Sequence, residues 1–204
     1  MWSNEQLRPF WAWSQCVGKT PLMQLSGNLF GKLETYNPTG SIKDRVIQFI
    51  LSRAIKRGEL TPEMKVVEAT SGNTGISLSA ACASLGLECT IVMPSDMSQE
   101  RSDFMQRFGA RIVKSDPSDF NQAIETRNEI IASGDYWSPM QFENRQNIDC
   151  HRGTTAKEIF EQIPTSTSIS AFFSGAGTGG TIMGFREACI HQGANTKCIL
   201  VKPD

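Results

Sequence analysis

The sequence predicts an α/β fold in which mostly parallel sheets are covered by helices on both faces, an αβα layering. Three observations predict it. From Leu29 onward, short apolar runs of strand length alternate with segments whose apolar residues recur at helical spacing. The intervening segments are long enough for the right-handed crossovers that parallel strands require. Loops rich in glycine and hydroxyl residues fall where a strand hands over to a helix, the place where open α/β folds bind ligands.

The elements follow in order. Val46, Ile47, Ile50, Leu51, Ala54 and Ile55 make one apolar stripe, so 41–57 reads as a helix stopped by Gly58. Residues 65–69 read as a strand, and 73–85, rich in small apolar residues, as a helix buried on most sides. A strand at 89–93 closes on Pro94, and a helix at 98–108 begins with Ser98 placed to cap it. Strand 111–113, helix 118–131 and strand 136–137 continue the alternation. A helix at 154–162, a strand at 168–173, a helix after Gly179 and a strand at 197–201 complete it. The chain stops at Pro203 and Asp204, and a last strand without its covering helix reads as a fragment.

Composition excludes several classes. Twenty basic and 21 acidic residues are interspersed, so no tract points to nucleic acid or an anionic membrane. The six cysteines form no C-x-x-C pair and only two histidines exist, so no zinc-ligand spacing can be assembled. Scattered thiols fit a reducing compartment, and Cys82 in an alanine-rich segment reads as a small core residue. The N-terminus carries no signal-peptide run and no stretch could span a bilayer, so a cytoplasmic protein is expected. Trp2, Phe10, Trp11 and Trp13 cluster there, either packed on the chain's own surface or forming an intersubunit contact.

Three loops carry chemistry. In NPTGSIKDR, residues 37–45, Lys43 stands at a helix start, where a cation faces the positive end of the dipole. That placement favours a neutral or covalently tied amine, against the ordinary alternative of a solvated surface lysine. In ATSGNTG, residues 69–75, Thr70, Ser71 and Thr74 offer hydroxyls, Asn73 an amide, and Gly72 and Gly75 room for close backbone approach. At a helix N-terminus this suits a carboxylate or phosphate, or is a plain capping turn. In SGAGTGGT, residues 174–181, the glycines and hydroxyls suit a phosphate. Gly175, Gly177 and Gly180 also satisfy G-x-G-x-x-G, with Asp204 ending a later strand, which supports a dinucleotide-binding oxidoreductase.

Taken in order, GKTPL (18–22), KLETYNPTGSIKDR (32–45), VEATSGNTGISL (67–78), MPSDMSQER (93–101), FGARIV (108–113), QFEN (141–144) and FSGAGTGGTIMG (173–184) resemble the cysteine synthase family. This is the fold type II, or tryptophan synthase β, group of pyridoxal-phosphate (PLP) enzymes, and ATSGNTG with MSQER looks most like its B branch. The resemblance implies two domains: residues 1–41 with 137–204 as the larger, phosphate-binding one, and 42–136 as a smaller mobile one. It implies that Lys43 forms the Schiff base with PLP and that Asn73 bonds the cofactor's 3-hydroxyl. Thr70, Ser71, Gly72, Thr74 and Gln141 would hold the substrate carboxylate, and Gly177, Thr178, Gly179, Gly180 and Thr181 the cofactor phosphate.

The implied reaction is β-replacement. O-Acetylserine and sulfide or a thiol donor lead to cysteine and acetate, with Lys43 as the base at Cα, while loop 70–75 grips the carboxylate and drives closure of the smaller domain over the site. The implied partners are a small amino-acid substrate and a sulfur donor, in a homodimer, without nucleic acid, membrane or metal. The sequence departs from the family at Met140, Lys157 and Lys202, and its connection at 26–28 is shorter. The resemblance further implies that a C-terminal portion contacting the cofactor ring is missing. A truncated relative that binds partners without catalysis therefore stands beside the enzyme and the oxidoreductase.

Overall fold

The computed structural model of the chain describes residues 1–164 and 168–202. Helix α1 (Asn4–Gln15) opens with a capping box: Gln6 N–H donates to Ser3 Oγ, and Ser3 N–H donates back to Gln6 Oε1. A β-hairpin follows, β1 (Leu22–Ser26) antiparallel to β2 (Leu29–Lys32), so the short connection still closes it. A 3₁₀ turn (Glu34–Tyr36) leads to α2 (Lys43–Arg57), ended by Gly58 at φ 70° with Lys56 and Arg57 in its last turn.

Next come β3 (Lys65–Ala69), α3 (Asn73–Leu85), β4 (Cys89–Pro94), α4 (Gln99–Arg107), β5 (Arg111–Ser115), α5 (Phe120–Ala132) and β6 (Tyr136–Trp137). The four strands form one parallel sheet in the order β5-β4-β3-β6. Because β3 has β4 on one side and β6 on the other, the chain reverses its direction of travel across the sheet at β3. The ends of β3 and β6 thus flank the crevice where such folds place ligands.

Val66 and Ile91 face a core shared with Ile47, Leu51, Leu78 and Met105, while Val67, Ala69 and Val92 meet Ala123 of α5 on the opposite side. Each fully buried aliphatic side chain contributes roughly 1.5–3 kcal/mol. Phe10 is buried in the first of these cores, Trp2, Trp11 and Trp13 pack against it, and the Trp2 indole N–H donates to Leu60 O at 2.7 Å. The aromatic cluster therefore serves the chain's own core. Cys82 is fully buried there as well.

After β6, α6 (Gln146–His151) runs through a π-helical turn (Arg152–Ala156) directly into α7 (Lys157–Gln162). Strand β7 (Ala171–Gly175), α8 (Gly180–Gln192) and β8 (Lys197–Val201) follow, with β7 and β8 parallel. Phe172 stacks on Phe185 of α8 with ring centroids 3.9 Å apart. Phe173, Ile199 and Val201 remain exposed, so the expectation of helices on both faces holds for the four-stranded sheet and not for this pair.

Several expected boundaries need correction. Ser98 makes no capping bond, and α4 has Glu100 in its first turn to meet the dipole. Residue 118 cannot start α5, because Ser118 sits at φ 59° and its N–H and hydroxyl are bonded to Asp96; Asp119 caps the helix, accepting from Gln122 N–H at 3.0 Å. The helix expected at 154–162 begins eight residues earlier, at Gln146, since Arg145, Gln146, Asn147 and Asp149 show no apolar period. No helix of the described residues is long and apolar enough to cross a membrane.

Candidate active site

The first turn of α2 is held from beneath by charges. Asp44, fully buried, accepts from Thr39 N–H at 2.7 Å and from its hydroxyl at 2.6 Å, which fixes the turn before Lys43. Arg45 spends its guanidinium on two carboxylates: Nε and Nη2 donate to Glu34, and Nη1 and Nη2 to Glu158, at 2.7 to 2.9 Å. Lys32 adds a 2.8 Å ion pair to Glu158. Burial opposes charge on Glu158, but the bonds from Arg45 and Lys32 outweigh it and hold its carboxyl at about 2.

Lys43 stands apart from this lattice. Its side chain has no ion-pair or hydrogen-bond partner among the described residues, and burial lowers its ammonium's affinity for the proton. The expectation of an amine biased toward neutrality from its place at a helix start is thus strengthened by desolvation. Nearby, His151 is buried, with Nδ1 2.9 Å from Thr155 Oγ1 and Nε2 3.3 Å from Thr181 Oγ1. Burial first, and then the charges of Lys43 and Arg45, lower its pKa to about 3, so the imidazole is neutral.

The second loop leaves β3 at the crevice. Thr70 is buried and its Oγ1 accepts from Gly72 N–H at 3.4 Å. Thr74 donates its hydroxyl proton to Gln141 Oε1 at 2.5 Å, which turns the amide nitrogen of Gln141 outward as a free donor. The backbone N–H of Gln141 donates in turn to Glu68 Oε2 at 3.2 Å, and Glu68 is paired with Arg127 at 3.2 Å in the interior. Ser71 is half-buried and Asn73 exposed at the start of α3, where the first N–H groups have no intrahelical partner. Gly75 lets α3 pack closely on α4: an added Cβ would lie 2.7 Å from Met105 Cε, and that side chain would have to shift.

The third loop runs from Gly177 through Thr178 to Gly179, at φ 77°, before α8 begins at Gly180. No acidic side chain occupies the first turn of α8, so its positive dipole end is left uncompensated and suits an anion. Asn147 reaches in from α6, its Nδ2 donating to Thr178 Oγ1 at 2.8 Å and to Gln141 O at 3.0 Å. The second and third loops are thereby joined through residues 141 and 147, and His151, whose imidazole feels the charge of Lys43, meets the third loop at Thr181.

Sequence reasoning missed Glu68, Arg127, Asn147 and His151. A lone asparagine, histidine or ion pair carries no periodicity, and only the fold brings these four to the loops. Asp204, on which the dinucleotide reading depended, lies outside the described residues. A cleft of about 840 Å³ between the hairpin and β7 borders these residues at Lys32, Glu34, Thr155 and Thr181.

Residues 13–204 match the family described as pyridoxal-phosphate dependent enzyme. A cysteine synthase of Staphylococcus aureus is 35% identical, the match covering 94% of this chain and 64% of that protein. A cysteine synthase structure from Entamoeba histolytica superimposes with a TM-score of 0.85 at 38% identity, covering 94% of this chain and 60% of the other. A hydrogen sulfide-producing enzyme from Fusobacterium nucleatum gives 0.86 at 33% identity, with 94% and 66% covered. The chain spans 64% of the length of the curated relatives it matches.

Proposed function

The chain belongs to the pyridoxal-phosphate dependent enzyme family, and on that premise we propose that it performs β-replacement on an activated serine, taking O-acetylserine and sulfide to cysteine and acetate, or with another thiol to the S-substituted cysteine and acetate. The observation that carries this reading is Lys43, a desolvated amine at the start of α2 without an ion-pair or hydrogen-bond partner among the described residues.

The residues fit the cofactor. Gly177 to Thr181 offer N–H groups and hydroxyls to a phosphate, and at Gly180 an added Cβ would lie 2.1 Å from Asn147 Oδ1, so a side chain at that position would displace Asn147. When bound, the cofactor supplies an aldehyde for an amine and an electron-withdrawing ring. Lys43 is the group that carries it. Released from that bond, its amine removes the proton at the substrate Cα and later returns it. Thr70, Ser71, the N-terminal N–H groups of α3 and the outward amide of Gln141 hold the carboxylate, while Thr74 orients Gln141. Asn73, exposed at the loop's tip, is assigned the cofactor's 3-hydroxyl. Loss of acetate and addition of sulfide both occur at Cβ.

Residues 1–41 with 137–204, and 42–136, are proposed as the two domains, the second moving against the first when the carboxylate is gripped. A homodimer in the cytoplasm is the proposed setting. Purified protein given PLP should turn yellow, lose that absorbance in Lys43→Ala, and release acetate from O-acetylserine. A folded chain that stays colourless in saturating PLP overturns the proposal.

A further inference from the structure

Asn147 is 3% exposed, and each of its amide atoms has a distinct situation. Its two amide protons go to the Gln141 carbonyl and to Thr178 Oγ1. The carbonyl of Gln141 can only accept, so the nitrogen of the amide is fixed on that side. Its Oδ1 is buried, has no partner among the described residues, and lies against Gly180. Thr178 Oγ1 also accepts from Gly180 N–H at 3.4 Å, so both of its lone pairs are engaged. The hydroxyl proton of Thr178 is then left to point at a further acceptor at the mouth of the loop.

We propose that Asn147 is a positioning residue for a phosphate monoester: it fixes Thr178 as a donor to the phosphate and ties that donor to Gln141 in the carboxylate subsite. The inference rests on the reading of 177–181 as a phosphate cradle. It extends that reading to a chain of bonds, Thr74 to Gln141 to Asn147 to Thr178, linking the two anion subsites. Glu68 and Arg127 anchor the chain from below through the Gln141 N–H. Because an amide with both protons engaged cannot rotate without losing two bonds, it holds the subsites at a set spacing before any ligand arrives.

The test compares PLP with pyridoxal, which lacks the phosphate, by visible-absorbance titration of the full chain. The variants are Asn147→Leu, Asn147→Asp, Thr178→Val and the double Asn147→Leu/Thr178→Val, with melting temperatures recorded for each. Asn147→Leu should raise the Kd for PLP about tenfold, the size of one charge-assisted hydrogen bond, and leave that for pyridoxal within about twofold. The double variant should lose little more than the worse single one, since both changes remove the same donor.

Asn147→Asp keeps the shape and so guards against misfolding of the leucine variant. Its deficit for PLP relative to wild type should be small while the introduced carboxyl is protonated and widen as pH rises above its pKa. Equal losses for PLP and pyridoxal, additive losses in the double variant, or a pH-independent deficit in Asn147→Asp would overturn the proposal. A wild-type chain that takes up neither compound sinks the functional reading itself; uptake of both by the wild type isolates the fate of Asn147.

Discussion

Glu158 keeps its charge in a partly buried position only because Arg45 and Lys32 face it. Its folded pKa of about 2 lies below the ordinary 4.5, so its contribution to stability is fully present above about pH 4.5 and is lost as pH falls toward 2. His151 has the same sign: held neutral with a pKa of about 3, its contribution is present above about 6.5 and is lost on acidification. Replacing Glu158 with Gln should cost roughly 1–3 kcal/mol at pH 7, with the gap to wild type closing by about pH 2 in denaturant titrations. A gap that stays constant over that range would show that the carboxylate's charge is not what matters. At this scale the local context of Lys43 reads as an ordinary surface lysine, and only its company, the loops at 69–75 and 174–181, singles it out. Asn147 and His151 are not legible there, because their contacts to the third loop are with residues 31 and 30 positions away.

The loops act through the elements that hold them. Gly180 abuts Asn147, whereas a Cβ on Gly177 would meet nothing within 4 Å. Gly180→Ala should therefore lower stability by about 1–3 kcal/mol and weaken PLP binding, while Gly177→Ala should leave the melting temperature nearly unchanged. Comparable melting temperatures for the two variants would count against the close contact of α8 with α6. Most elements could be read from periodicity, because α2, α3 and the buried strands β3 and β4 are strongly apolar. Helix α6 could not, since its polar residues face the phosphate loop and the ion pairs of Glu187 rather than a core. Strand order was equally hidden: alternation shows that strands exist, while only pairing puts β6 beside β3 and so Gln141 beside Thr74.

For the whole molecule, the two parallel sheets differ in how well they are covered. The four-stranded sheet has buried side chains on both faces, whereas Phe173, Ile199 and Val201 line one exposed face of the β7–β8 pair, 56%, 38% and 51% accessible. An apolar two-stranded sheet with an open edge is prone to pair with another chain. Sedimentation or light scattering of this 204-residue chain should show self-association that grows with concentration and falls in Ile199→Lys. Strictly monomeric behaviour at high concentration would rule the exposed sheet out as a sticky surface.

The π-helical turn at Arg152–Ala156 sets a phase. An inserted residue delays a helix by about 100° relative to an unbroken one. Asn147 and His151, four apart and ahead of the turn, share the face that looks at the phosphate loop, whereas Glu158 beyond it is turned toward Arg45 and Lys32. One continuous run of chain thus serves two addresses, the glycine loop before α8 and the ion-pair lattice around Arg45. Shortening that run by a single residue would keep the first and swing the second away by about a quarter turn.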